Sequence, residues 1–70
     1  MTDSEQKELV ASVVDQLAAL TANQATIIEL LNQSLPDLSE TEQLTIAQCA
    51  AKNYEIAENL QNVLKMTRDA

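Results

Sequence analysis

Two runs of apolar residues at helical spacing, separated by the one proline of the chain, restrict this sequence to a very small set of folds. In the first run Leu9, Val10, Val13, Val14, Leu17, Leu20, Ile27, Ile28, Leu31 and Leu35 recur largely at threes and fours. At ~100° per residue this spacing gathers them on one broad face, the signature of an amphipathic helix. Thr2, Asp3 and Ser4 are N-cap residue types, and Glu5 stands three residues after Thr2 as in a capping box. Acids at Asp3, Glu5 and Glu8 suit the positive end of the helix dipole. The pattern predicts a helix over about residues 4–34, roughly 45 Å long.

Pro36 lacks a backbone donor and forces Leu35 out of the helical region, so the first helix should stop there. A turn is expected over residues 35–39. Ser39 and Glu42 then repeat the capping-box spacing and start a second helix over about residues 40–67. Its apolar face carries Ile46, Cys49, Ala50, Ile56, Ala57, Leu60, Val63 and Leu64, and Lys65 and Arg68 suit its negative end. A connection this short favours an antiparallel hairpin, here a single domain spanning residues 1–70. Pairing about Asp37 would set Val10 near Leu64, Leu17 near Ala57 and Ile27 near Ala47, with Glu5 and Glu8 beside Lys65 and Arg68.

Chains below ~70–80 residues rarely stabilise one core without disulfides, metal or oligomerisation. One cysteine and no histidine leave oligomerisation as the remedy. The expected fold is therefore all-α: a two-helix hairpin that dimerises into a four-helix bundle. The expected self-association core is Val13, Leu17, Leu20, Gln24, Ile27, Leu31, Ile46, Asn53, Ala57, Leu60 and Leu64. Alanines 47, 50, 51 and 57 would admit close backbone approach, with the large side chains of the first helix filling the space opposite. Gln24 and Asn53, one amide in each stripe, would form a shared polar layer that selects one register at some cost in stability.

The composition excludes several functions. Without glycine there is no phosphate-cradling loop or dinucleotide fingerprint, and without histidine the commonest general base and metal ligand is missing. A net charge of −7 opposes nucleic acid and anionic membrane surfaces. No run reaches the ~18 apolar residues of a membrane span, and the acidic opening Met1-Thr2-Asp3-Ser4-Glu5 is unlike a signal peptide. A cytoplasmic, non-catalytic chain with no cofactor and no metal is expected.

Leu44, Ala47, Ala51 and Tyr54 form a narrower strip turned away from the main face of the second helix, a candidate surface for an unidentified protein partner. Cys49 lies within the main stripe with no base nearby, so it is expected in the core and slow to alkylate. Glu40, Glu42, Glu55 and Glu58 face outward and read as a solvated surface. The function expected from these features is a protein–protein interaction module, a regulator, adaptor or chaperone-like subunit acting as a homodimer. The alternative is an acidic DNA mimic that occupies the basic site of a nucleic-acid-binding protein.

Overall fold

The computed structural model describes residues 2–69 and consists of two helices, α1 (Asp3–Ser34) and α2 (Glu40–Asp69), packed against each other as a hairpin. The molecule is a rod of 55 × 15 × 12 Å. Both helices begin with side-chain caps. At α1 the Glu5 amide donates to Thr2 Oγ1 at 3.1 Å, and the Thr2 hydroxyl donates to Glu5 Oε1 at 3.2 Å. At α2 the box is reciprocal: the Glu42 amide donates to Ser39 Oγ, and the Ser39 amide donates to Glu42 Oε1, both at 3.1 Å. Two backbone donors that have no helical partner are satisfied this way.

The hairpin turns without a left-handed residue. Leu35 leaves α1 with φ −89° and ψ 116°, the extended conformation that a following proline imposes, and its amide still donates to the Leu31 carbonyl. No described residue has positive φ, so a chain without glycine closes this turn at no steric cost. Asn32 then ties the two helices together, its Nδ2 donating to the Gln43 carbonyl at 3.4 Å, while Gln43 Nε2 donates to the Leu38 carbonyl.

These bonds hold Glu42 below the ordinary carboxyl value of 4.5, first through the Ser39 amide and then through the Ser39 hydroxyl. A carboxylate lowered in the folded state contributes stability that is fully present above its unfolded value and is lost as pH falls through its folded value. Ser39→Ala should cost about 1 kcal/mol at neutral pH. The difference in stability between the native chain and this variant should be constant above pH 4.5 and shrink below it, as read by thermal melts followed by circular dichroism.

The hairpin buries alanine. Ala11, Ala18 and Ala25 on α1 and Ala50, Ala57 and Leu64 on α2 are its buried residues, and each set recurs every seven positions. Starting from the Asn32–Gln43 bond and counting back in heptads sets Ala25 opposite Ala50, Ala18 opposite Ala57 and Ala11 opposite Leu64. Val14, Thr21, Ile28, Ile46, Asn53, Leu60 and Thr67 flank this seam, half-buried, and complete a three-four alternation. The two threonines tolerate the position because their hydroxyls donate to the Leu17 and Val63 carbonyls of their own helices, at 2.7 and 2.9 Å. Small side chains at such a seam let helix axes approach toward the lower end of the ~8–10 Å range.

This corrects the expected pairing. Leu17 does not fill space against Ala57, nor Val10 against Leu64; alanines 18 and 11 do. Methyl against methyl brings the backbones together, and the large residues one position earlier are rotated ~100° out of the seam. Cys49 is likewise exposed rather than in the core, because it precedes Ala50 by one residue. The expected Gln24–Asn53 layer is absent within the chain. Gln24 is exposed, and Asn53 Nδ2 donates to the Cys49 carbonyl of its own helix at 2.9 Å. The Glu5 carboxylate engages Thr2, and an ion pair forms instead within α2, between Lys52 and Glu55 at 3.8 Å.

Candidate functional site

With the hairpin closed on alanine, most of the large aliphatic side chains of α1 are left in water. Val10, Val13, Leu17, Leu20, Ile27 and Leu31 are between 45% and 65% exposed, and only Gln24 interrupts their three-four alternation. They form a second helical stripe, about a quarter to a third of a turn from the seam. On α2 the residues preceding the seam positions are Cys49, Ile56 and Val63, also exposed, with Met66 beyond them at 65%.

Whether these two rows share a side of the hairpin is settled by Tyr54. In an antiparallel pair, equivalent positions on the two helices lie on the same flank. Tyr54, four residues after Ala50, reaches across to α1 and meets Glu29, four residues after Ala25: its hydroxyl donates to Glu29 Oε2 at 3.3 Å and lies 3.2 Å from Thr26 Oγ1. The residues one before the alanines therefore share the opposite flank. One side of the rod thus carries an apolar face built from both helices, interrupted by Gln24 on α1 and by Thr45, Lys52 and Asn59 on α2.

The other flank is acidic. Glu5, Glu8, Asp15, Glu29, Glu40 and Glu58 fall on it by the same positional count against two cations, Lys65 and Arg68, together with Leu44, Ala47, Ala51 and Tyr54. Leu44 is 59% exposed, and Ala47 and Ala51 are also uncovered. Tyr54, 40% exposed, is a clasp between the helices rather than a free end of that strip.

Of the residues expected in a self-association core, Ile46, Asn53, Ala57, Leu60 and Leu64 line the seam inside one chain. Val13, Leu17, Leu20, Gln24, Ile27 and Leu31 lie on the exposed face. The single broad stripe of α1 is thus two stripes, one used by the hairpin and one left uncovered. The signal that separates them is the heptad spacing of Ala11, Ala18 and Ala25, matched by Ala50 and Ala57. Met66 adjoins the apolar face as well, outside the residues expected in the core.

Among the described residues no group of three or more His, Cys, Asp or Glu side chains is placed to hold a metal ion, and no helix is long and apolar enough to cross a membrane. Compared with known proteins, the chain matches no family model, no curated sequence and no solved structure.

Proposed function

We propose that this protein is a non-catalytic interaction module that works as a homodimeric helical bundle, with its apolar face closed by a second copy and its acidic flank left for a protein partner. The observation that carries the reading is the two-helix apolar face. The hairpin seam buries five alanines and one leucine, and each buried methyl-sized group contributes about 0.8 kcal/mol. So small a core leaves the larger aliphatic residues as the main unused source of stabilisation. Exposed apolar patches shared by two elements and bordered by polar residues mark association surfaces.

The surface area supports the same reading. The chain exposes 5243 Å², whereas a compact folded monomer of 7.7 kDa exposes ~4300 Å². The excess, ~900 Å², is close to the ~800 Å² that each partner contributes to an interface of standard size. The radius of gyration, 16.2 Å, likewise exceeds the ~11 Å of a compact domain of this length.

Sedimentation equilibrium over a wide concentration range, with helicity followed on the same samples, tests this. A helical dimer is the expected result. A weakly helical monomer at all concentrations would overturn it. Cys49 gives an independent readout, since it stands on the face that dimerisation covers. Its alkylation by iodoacetamide should be fast in dilute solution and at least tenfold slower where the dimer predominates.

A second reading is favoured by the acidic flank: six carboxylates against Lys65 and Arg68 on one side of the rod would suit a basic partner, including the nucleic-acid site of another protein, for which this chain would be a decoy. Such binding should weaken steeply with salt, whereas docking on Leu44, Ala47 and Ala51 should barely respond.

A further inference from the structure

We infer that the two copies pair face to face about a two-fold axis parallel to the helices, so that α1 of each copy lies against α2 of the other. This rests on the homodimeric reading above and specifies its geometry. An axis parallel to the helices keeps both copies at the same height, so cross-copy neighbours follow from the register that the Asn32–Gln43 bond sets within the hairpin. No slip is required.

That register matches side chains by type. Leu20 meets Ile56 of the second copy and Ile27 meets Cys49, each an apolar pair from the exposed rows. The interruptions also coincide: Gln24, the polar residue of the α1 row, comes level with Lys52 of the second copy, where an amide oxygen can accept from the ammonium group. Lys52 is exposed in the single chain, paired with Glu55 at the surface, so its long stem can lie along the face while its charge stays in water. Leu17 and Leu31 are the exceptions, facing Asn59 and Thr45.

The competing two-fold arrangement lays α1 against α1 and α2 against α2. With the two rods overlapped along most of their length, it sets Gln24 opposite Leu20, and Lys52 opposite Ile56. Polar and apolar residues then confront each other in the centre of both helix pairs, and unpaired polar groups at such positions are penalised. The α1–α2 pairing sets the two central polar residues, Gln24 and Lys52, against each other and confines such confrontation to Leu17 with Asn59 and Leu31 with Thr45.

Cysteine cross-linking decides between them. Ile27→Cys in the otherwise native chain sets a thiol against the natural Cys49 of the second copy. Oxidised glutathione accepts the two electrons as the S–S bond forms, and is itself reduced to two thiols. Within one chain positions 27 and 49 lie on helices side by side with both side chains directed out of the seam, so an internal bond would give a monomer on a non-reducing gel. The expected product is a covalent dimer containing most of the chain, absent when Cys49→Ser is added. Val13→Cys with Val63→Cys, in a Cys49→Ser background, repeats the test at another level should the first variant lose its helicity.

Cross-linking of Leu17→Cys with Ile27→Cys in the Cys49→Ser background, without cross-linking of the first two variants, would show α1 against α1 and overturn the arrangement. So would a helical dimer in which none of the variants cross-links between chains. Failure of the native chain to dimerise in sedimentation would instead overturn the homodimeric reading on which it rests.

Discussion

In the dimer proposed above, replacing Ile27 with Asp should leave a monomer stripped of much of its helicity. Ile27 is 58% exposed in the single hairpin, so the substitution disturbs nothing in the alanine seam. Its effect comes entirely from the surface that a second copy would cover. An uncompensated buried charge costs about 3–5 kcal/mol, and a two-fold dimer contains each substitution twice. The dissociation constant should rise at least roughly a thousandfold, since each 1.4 kcal/mol is a factor of ten. Leu44→Asp is the control: Leu44 is equally exposed but lies on the acidic flank, and the variant should sediment as the native chain does. An Ile27→Asp chain with an unchanged dissociation constant would remove the apolar face from consideration as an interface.

The second large effect is counterintuitive on hydrophobicity alone. Ala25→Leu adds three carbons to a position that is 0% exposed and should destabilise the protein by about 1–3 kcal/mol or more. Ala25 stands opposite Ala50, where two methyl groups set the distance between backbones. A leucine there has no room in any rotamer and must push the helices apart, which loosens the Ala18–Ala57 layer one heptad away. The melting temperature should fall by roughly 5–20 °C. The same change one residue earlier, Gln24→Leu, should leave the hairpin intact, because Gln24 is exposed within the chain. Comparing the two melts separates the hairpin seam from the outer face. A rise in melting temperature for Ala25→Leu would show that the helices are not held in close approach by the alanines.

Much of the secondary structure was legible in the residues because its determinants are local. Pro36 imposes extended backbone on Leu35, and Ser39 with Glu42 closes a capping box three residues apart. Thr2 and Glu5 do the same at the first helix. None of these depends on what lies elsewhere in the chain. The helical period of the apolar residues is local too, and the short connection between two long helices leaves an antiparallel hairpin as the natural outcome.

Which apolar residues the hairpin would bury was not legible in the same way. Leu17 and Ala18 are neighbours in sequence, and side-chain size ranks Leu17 as core; the structure buries Ala18 and exposes Leu17. Burial is decided by the pairing of two helices, and the alanines on α1 acquire meaning only when those on α2 repeat at the same spacing and the Asn32–Gln43 bond brings them level. Tyr54 illustrates the same limit. Its place on a narrow strip of α2 follows from helical periodicity, but its role as a clasp needs Glu29 and Thr26, more than twenty residues away in sequence. Two capped amphipathic helices and a turn thus follow from the residues alone, because each is set by interactions within a few positions. Which stripe of α1 closes the hairpin and which is left open emerges when the two helices pack, because that choice depends on the distance between backbones, and alanine against alanine makes that distance short.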